Sequence, residues 1–186
     1  MEHMYGKVTE KEPEINIEAA TVEDAAAIAH IQKEGWLATY PNEEHGITEE
    51  DILSKDFESE ERIQRRIERL KAEGETTQTW IARQSGRVIG YSSAVRGDEI
   101  NKVVSVYLLP ECQGKGLGSR LLRQALEWLG DEKDISLGVV PYNKTAIQFY
   151  EKFGFRLGGP VPHDVPTFAT GKDMPEIEMT RLKAVQ

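Results

Sequence analysis

A glycine-rich segment at residues 113–118, QGKGLG, is the stretch of this sequence best suited to bind a charged group. It follows the apolar run 103–109 and overlaps the start of an amphipathic run at 117–129, so the order is strand, turn and helix. The first N–H groups of a helix have no partner within the helix and carry partial positive charge. Glycines let phosphate oxygens approach these groups, and the segment therefore predicts a phosphate-bearing ligand.

The spacing of the glycines excludes two common nucleotide-binding motifs. A Walker loop requires Gly, four residues and then Gly-Lys-Ser/Thr, and the sequence contains no such string. In a dinucleotide-binding G-x-G-x-x-G fingerprint the third glycine would fall at Ser119, and Pro110 separates the strand from the turn. The string instead matches Gln/Arg-x-x-Gly-x-Gly/Ala, starting at Gln113.

A second motif follows the next apolar run, 135–140. Residues 143–155 read N-x-x-A-x-x-x-Y-x-x-x-G-F, with Asn143 at the start and Tyr150 in the middle. With both motifs present in this order, the stretch 103–159 resembles the GCN5-related N-acetyltransferase (GNAT) family. The two motifs are independent of each other, so the pair is far more specific than the glycine turn alone.

Apolar periodicity places the remaining elements in one domain at 14–183, after a polar N-terminal tail at 1–13. Their order is β-α-α-β-β-β-α-β-α-β-β. With the resemblance, this predicts an α/β fold of the α+β type, the GNAT fold, with a mixed, mostly antiparallel sheet of about seven strands and helices on both faces. Predicted strands are 15–19, 80–83, 87–95, 102–109, 135–140, 155–158 and 177–182. Predicted helices are 21–40, 59–71, 117–129 and 143–153, and residues 48–51 can start a further short helix.

The resemblance implies transfer of an acetyl group from acetyl-CoA to a primary amine of a small molecule or peptide, by direct attack in a ternary complex. In this family two neighbouring parallel strands splay apart, here 103–109 and 135–140. A bulge in the first exposes backbone amides to the thioester, by position those of Val106 and Leu108. Asn143 bonds the pantetheine arm and is also placed as a helix N-cap. The CoA pyrophosphate is bound by Gln113, Gly114, Lys115, Gly116, Gly118 and Ser119.

Tyr150 matches the family's tyrosine that protonates the departing CoA thiolate. A phenol has a reference pKa near 10, so it is protonated and available at neutral pH. Packing is the alternative role, because Ile147 and Phe153 share its helix face.

Trp36 and Tyr40 belong to a W-x-x-T-Y segment similar to that of bacterial polyamine-type acetyltransferases. In those enzymes the segment borders the acceptor pocket, although packing is the commoner role for such a pair of aromatic residues.

The sequence does not identify the general base. Ribosomal-protein N-terminal acetyltransferases of this family carry a glutamate at the position of Gly138, which favours a small-amine acceptor here over a ribosomal protein. An acceptor amine with a pKa near 10 must still lose a proton before it attacks. Either a water chain or a side chain from elsewhere performs this step, with Glu43, Glu44, His45, Asp98, His163 and Asp164 as candidates.

The composition limits the classes of partner that the protein is expected to bind. The 186 residues carry a net charge of −9, which argues against nucleic-acid binding through a basic surface. The single cysteine, Cys112, excludes an intrachain disulfide and offers no metal cluster, so we expect no metal. Apolar runs are too short for a membrane span and residues 1–14 are too polar for a signal peptide, so we expect a cytoplasmic protein without a membrane partner. A homodimer is compatible with the sequence, which does not give the oligomeric state.

Two other functions stay open from the sequence. An acyltransferase for longer acyl-CoA donors would share the fold and the motifs. A non-catalytic CoA-binding regulatory module is favoured by the glycine at 138 and disfavoured by Tyr150.

Cys112 lies beside the glycine turn, but a role as nucleophile is disfavoured, because no histidine is near it in sequence and the family forms no acyl-enzyme. The loop 159–175 is long enough to suggest a functional role.

Overall fold

The computed structural model describes residues 14–162 and 166–184, so the predicted tail at 1–13 lies outside the described residues. The strands are β1 (Ile15–Ala19), β2 (Thr77–Gln84), β3 (Arg87–Val95), β4 (Asn101–Leu108), β5 (Ile135–Val139), β6 (Arg156–Pro160) and β7 (Ile177–Arg181). The helices are α1 (Ala25–Thr39), α2 (Glu49–Leu53), α3 (Glu60–Lys71), α4 (Leu117–Leu129) and α5 (Lys144–Glu151), and short 3-10 turns lie at Val22–Asp24 and Pro110–Cys112.

The seven strands form one sheet with the order β1-β2-β3-β4-β5-β7-β6. Every neighbouring pair is antiparallel except β4 and β5, which are parallel. This confirms the predicted mixed, mostly antiparallel sheet. The parallel pair joins an antiparallel half made of β1 to β4 to a second antiparallel half made of β5, β7 and β6.

Helices cover both faces of the sheet, as two adjacent residues of β3 demonstrate. Ser92 is buried and donates its hydroxyl hydrogen to the Leu121 carbonyl oxygen of α4, at 3.1 Å. Tyr91 points to the opposite face because side chains alternate along a strand, and its ring lies 5.7 Å from that of Tyr107. On that face a Cβ at Gly35 of α1 would lie 2.8 Å from the Tyr107 ring. Helices α1 and α4 therefore pack on opposite faces, as predicted.

Between β1 and β2 the chain has three helices, one more than the predicted order contains. The helix that this order omits is α2, the short helix predicted to start at 48, and it begins with a reciprocal cap. The Thr48 N–H donates to the Asp51 carboxylate at 2.8 Å, and the Thr48 hydroxyl oxygen accepts from the Asp51 N–H at 3.2 Å. The predicted start of the first helix at Thr21 is also shifted, because a 3-10 turn precedes Ala25, where α1 begins.

Two hydrophobic clusters fill the interior. The larger one joins the sheet to α1 and α4. The smaller one, called the aromatic cluster below, lies where α1, α2 and the segment before β7 meet the end of β5. Its buried members are Trp36, Ile47, Ile52, Phe57, Val140, Phe168 and Met174.

Neither a membrane-spanning helix nor a metal-binding cluster is found in residues 14–162 and 166–184. No helix of these segments is both long enough and apolar enough to cross a membrane. Nor do they bring together three or more His, Cys, Asp or Glu side chains that could hold a metal ion.

Candidate active site

Strands β4 and β5 pair only where they begin and then separate. Asn101 is aligned with Ile135 and Lys102 with Ser136, and the parallel register ends there. Beyond this point β4 pairs with β3, and β5 pairs with β7. The opening between 103–108 of β4 and the rest of β5 is called the strand gap below. The predicted splaying of these two strands is therefore present.

A bulge in β4 lies at the mouth of the strand gap. Ser93 of β3 is aligned with Ser105, whereas the next residue, Ala94, is aligned with Val103. Val104 is thus an extra residue in β4, and the residue is 61% exposed. An extra residue of this kind reverses the side of the strand to which each following N–H group points.

The bulge turns two backbone amides toward the strand gap. The Asn101 N–H, before the bulge, donates toward β5, to the carbonyl oxygen just ahead of that strand. The Leu109 N–H, after the bulge, donates to a carbonyl oxygen of β3 at 3.0 Å. Because successive N–H groups alternate in direction, those of Val106 and Leu108 face the gap. This is the orientation that thioester binding requires, and the binding itself stays a prediction.

The turn between β4 and α4 has the backbone geometry of an anion-binding helix start. Gly114 and Gly116 have φ angles of 79° and 75°, in the left-handed region that favours glycine. Gly116 directly precedes α4, and no side chain caps this helix. A Cβ at Gly116 would meet nothing within 4 Å, so there is open space beside this residue at the start of α4. A Cβ at Gly118 would lie 3.7 Å from the side chains of Leu108 and Phe149, which places the turn beside both β4 and α5.

The other residues of the turn differ in exposure. Gln113 and Lys115 are exposed, and Ser119 is half-buried in the first turn of α4. Arg120, which could have added charge to the turn, instead donates to the Ile15 carbonyl oxygen of β1 at 2.8 Å.

Asn143 caps α5, as predicted. Its side-chain oxygen accepts a hydrogen bond from the Ala146 N–H at 3.1 Å. Its own N–H donates to the Val140 carbonyl oxygen at 2.9 Å, which fixes the start of α5 to the end of β5. Because the cap uses the amide oxygen, the side-chain NH2 group is the part of Asn143 that can donate to a ligand carbonyl.

Four tyrosine side chains, those of Tyr40, Tyr91, Tyr107 and Tyr150, form what is called the tyrosine cluster below. The Tyr40 and Tyr107 hydroxyls are 3.1 Å apart. Burial, and then the proximity of Tyr40, raises the pKa of Tyr150 well above its ordinary value. Burial likewise raises the pKa of Tyr91 to about 12 and that of Tyr107 well above its usual range. All four phenols are therefore protonated at neutral pH.

Trp36 has a packing role. It is 9% exposed, and its ring makes edge-to-face contacts with Tyr40 at 4.9 Å, Phe57 at 5.3 Å and Phe168 at 6.5 Å. Its Nε1–H is buried without a hydrogen-bond partner among the described residues. Tyr40 differs from Trp36 because its hydroxyl lies 3.1 Å from that of Tyr107 on β4, so of the two predicted acceptor-site residues Tyr40 is the one in contact with β4 through its polar atom.

The described part of the loop 159–175 packs against α2 and is hydrogen-bonded to it. Phe168 and Met174 are buried in the aromatic cluster. The Lys172 ammonium lies 2.8 Å from the buried Asp51 carboxylate, whose other oxygen accepts from the Thr170 hydroxyl at 2.6 Å. These hydrogen bonds, that of Lys172 first, hold the pKa of Asp51 well below its usual range. The loop therefore forms one wall of the aromatic cluster.

A carboxylate that sequence reasoning missed lies over Gly138. A Cβ at Gly138 would be 1.7 Å from the Glu176 Oε1 atom and 2.5 Å from its carboxyl carbon. Glu176, half-buried and one residue before β7, thus occupies the space that a side chain at position 138 would fill. Burial first, and also the Glu176 charge, raises the pKa of Tyr40. Only the neighbourhood of β5 and β7 in the sheet brings residues 138 and 176 together, so no local pattern indicates it.

The base candidates from the sequence lie elsewhere. Glu43, Glu44, His45 and Asp98 are exposed, and the His45 ring stacks on that of Tyr142 at 4.8 Å. The remaining two, His163 and Asp164, lie outside the described residues.

Comparison with known proteins gives the family. Residues 27–155 match the model of the Acetyltransferase (GNAT) family. The chain belongs to the GNAT family of acetyltransferases. An uncharacterized N-acetyltransferase of Mycobacterium tuberculosis is 37% identical over 81 residues, which cover 42% of this GNAT chain and 52% of the relative. The chain therefore matches about half the length of the curated relatives.

Solved structures support the fold of this GNAT protein. PaiA N-acetyltransferase from Thermoplasma acidophilum, solved in complex with coenzyme A, has a TM-score of 0.70 and 22% identity over 92% of this chain and 99% of its own. YncA from Salmonella typhimurium, a putative acetyltransferase solved with acetyl-CoA, has a TM-score of 0.65 and 22% identity over 93% of this chain and 96% of its own.

Proposed function

We propose that this GNAT protein transfers the acetyl group of acetyl-CoA to a primary amine of a small molecule or peptide, by direct attack within a ternary complex. The observation that carries the proposal is the strand gap. The backbone amides of Val106 and Leu108 face it, the glycine turn lies beside β4 and α5, and the Tyr150 phenol interacts electrostatically with Tyr107 of β4. Acyl transfer requires oxyanion donors, a phosphate site and an acid in one place, and these elements could supply them.

The donor fits the elements around the gap. The uncapped N–H groups at the start of α4 suit the CoA pyrophosphate, with Gln113, Gly114, Lys115, Gly116, Gly118 and Ser119 around it. The NH2 group of Asn143 and the edge of β4 suit the amide groups of the pantetheine arm. PaiA and YncA, which share the fold, are described as bound to CoA and acetyl-CoA, and this supports the same ligand here.

The steps of the proposed acetyl transfer follow from where charge develops in the transition state. The amine nitrogen attacks the thioester carbonyl carbon, and the resulting oxyanion accepts a hydrogen bond from a gap-facing amide of β4. One such donor typically contributes about 3 to 4 kcal/mol to transition-state stabilisation. The C–S bond then breaks, and Tyr150 gives its phenolic proton to the thiolate. For the acceptor we propose the region bordered by Tyr40 and the aromatic cluster, on the α1 face of the sheet.

CoA should bind without a metal ion and stabilise the fold, because backbone N–H groups rather than Mg²⁺ meet its phosphates. At about 100 times the dissociation constant, the ligand adds roughly 2.7 kcal/mol to the free energy of unfolding. Thermal unfolding with CoA or acetyl-CoA in the presence of EDTA measures this. An unchanged melting temperature at millimolar acetyl-CoA would contradict the assignment of the glycine turn.

Direct attack predicts that no acyl-enzyme forms. Incubated with acetyl-CoA and no amine, the protein should keep its intact mass and release no stoichiometric thiol, and Cys112→Ser should turn over like the parent once an amine is added. Intact-protein mass spectrometry and a thiol assay check this. If the protein instead becomes acetylated and then passes the acetyl group to the amine, the reaction follows a two-step route through an acyl-enzyme and not direct attack in a ternary complex.

The two alternatives are tested in the same assay. Faster turnover with longer acyl-CoA donors than with acetyl-CoA would change the donor and leave the mechanism unchanged. Binding of CoA with no turnover of any amine would indicate a regulatory module. The Glu176 carboxylate over Gly138 weakens that alternative, because the missing glutamate was the sequence feature in its favour.

A further inference from the structure

We infer that Glu176 is the general base, accepting a proton from the acceptor ammonium in the proposed acetyl transfer, on which this inference rests. The position where the resemblance places a glutamate is Gly138, which has no side chain. The Glu176 Oε1 atom lies 1.7 Å from where a Cβ of residue 138 would be. A carboxylate is therefore present at this point of β5, although the segment before β7 supplies it.

The sheet register places this carboxylate on the α1 face. Gly138 is aligned with Glu178, and Val139 with Ile177, so residue 176 comes next to Val140. Val140 is buried in the aromatic cluster together with Trp36 of α1. Side chains two residues apart along extended chain share a face. The carboxylate is thus on the face where the acceptor region is proposed.

Tyr40 links this carboxylate to the rest of the site. Its hydroxyl is 3.1 Å from that of Tyr107, which lies on β4 between the two gap-facing amides. The Tyr40 phenol interacts electrostatically with Glu176 and also with Tyr150. The inferred proton acceptor and the proposed proton donor therefore both lie within electrostatic range of one phenol, which suits a reaction that takes a proton from the amine and gives one to the thiolate.

Glu176 and Tyr150 together account for every proton transferred in the reaction. The acceptor R–NH3⁺ gives a proton to the Glu176 carboxylate, directly or through one water, and the neutral nitrogen attacks the thioester carbon. As the C–N bond forms and the C–S bond breaks, Tyr150 protonates the thiolate. The nitrogen loses its second proton to the Tyr150 phenolate, and Glu176 releases its proton to solvent. The sum is amide, CoA thiol and one proton.

The decisive variant is Glu176→Gln, which keeps the shape of the side chain but cannot accept the proton. We expect kcat to fall about 100-fold at pH 7, with KM for acetyl-CoA within about twofold of the parent. The deficit should shrink to less than about tenfold near pH 10, where solution deprotonates the amine. Glu178→Gln is the matched comparison, because Glu178 is aligned with Gly138 and shares the face of Glu176. If Glu176 is the base, this loss of a neighbouring carboxylate should leave kcat within about twofold of the parent at both pH values, whereas a larger loss than in Glu176→Gln would assign the base to Glu178 instead.

A transplant of the carboxylate gives an independent test. Glu176→Ala removes the atoms that would collide with a side chain at 138, and adding Gly138→Glu returns the carboxylate from β5. We expect the double variant to recover at least about tenfold in kcat over Glu176→Ala at pH 7. CoA-induced stabilisation of each variant verifies that it is folded.

The outcomes separate this inference from the proposed function. A Glu176→Gln variant within threefold of the parent at pH 7, a deficit equal at pH 7 and pH 10, or a folded transplant no faster than Glu176→Ala would each overturn the assignment. Absence of amine-dependent turnover in the parent would instead refute the proposed function itself.

Discussion

Gly116→Asp is expected to abolish CoA binding while the protein stays folded. The substitution places a carboxylate where the CoA phosphates approach the first N–H groups of α4. Like charges about 4 Å apart near a protein surface repel by roughly 4 kcal/mol. That energy corresponds to an increase of about a thousandfold in the dissociation constant. Calorimetric titration with CoA measures the loss.

The fold should tolerate this change for two reasons. The φ of Gly116 is 75°, a region that Asp and Asn enter more readily than other side chains. A Cβ there also meets nothing within 4 Å. Gly116→Asn is the matched control, since it adds the same bulk without the charge and should weaken CoA binding far less. A folded Gly116→Asp variant whose CoA dissociation constant is within about tenfold of the parent's would show that the phosphates bind elsewhere.

Tyr150→Phe should lower kcat by about 10² to 10⁴ with little effect on CoA affinity. The change keeps the ring, which contacts Phe149 at 5.1 Å and Phe155 at 6.0 Å, and removes only the hydroxyl group with its proton. Steady-state kinetics with saturating acetyl-CoA, together with the melting temperature, separate lost chemistry from lost packing. Turnover within threefold of the parent, with the chemical step rate-limiting, would make Tyr150 a packing residue.

The raised pKa of Tyr150 adds a pH expectation. An acid must be protonated to act, and burial moves its deprotonation to higher pH than that of a free phenol. In the parent, ionisation of Tyr150 should therefore cause no fall in kcat between pH 7 and about pH 10, the reference value for tyrosine. A fall in kcat below pH 9 that Tyr150→Phe abolishes would contradict the burial of this phenol.

The sequence predicted well those features that local chemistry determines. The start of α4 follows from the positive φ that Gly116 permits, and the start of α5 from the side-chain cap of Asn143. Both lie within one residue of the prediction. β2 begins at Thr77, earlier than the predicted residue 80, because pairing with β3 extends it through polar residues that show no apolar alternation.

The features that sequence reasoning could not give depend on contacts between distant strands. Val104 is one of several similar residues in β4, and only its alignment with β3 marks it as the bulge. Glu176 meets Gly138 because β7 inserts between β5 and β6, an order that no local pattern encodes. The roles of these residues in binding and catalysis stay predictions.

The most direct test of the account is amine-dependent release of CoA thiol from acetyl-CoA, measured over a panel of small primary amines and short peptides with mass detection of the acetylated product. We predict that at least one amine gives multiple turnovers in the presence of EDTA, and that Tyr150→Phe and Glu176→Gln, both still stabilised by CoA, lose most of that rate. A parent protein that binds acetyl-CoA yet acetylates no amine in the panel would contradict the proposed transfer reaction.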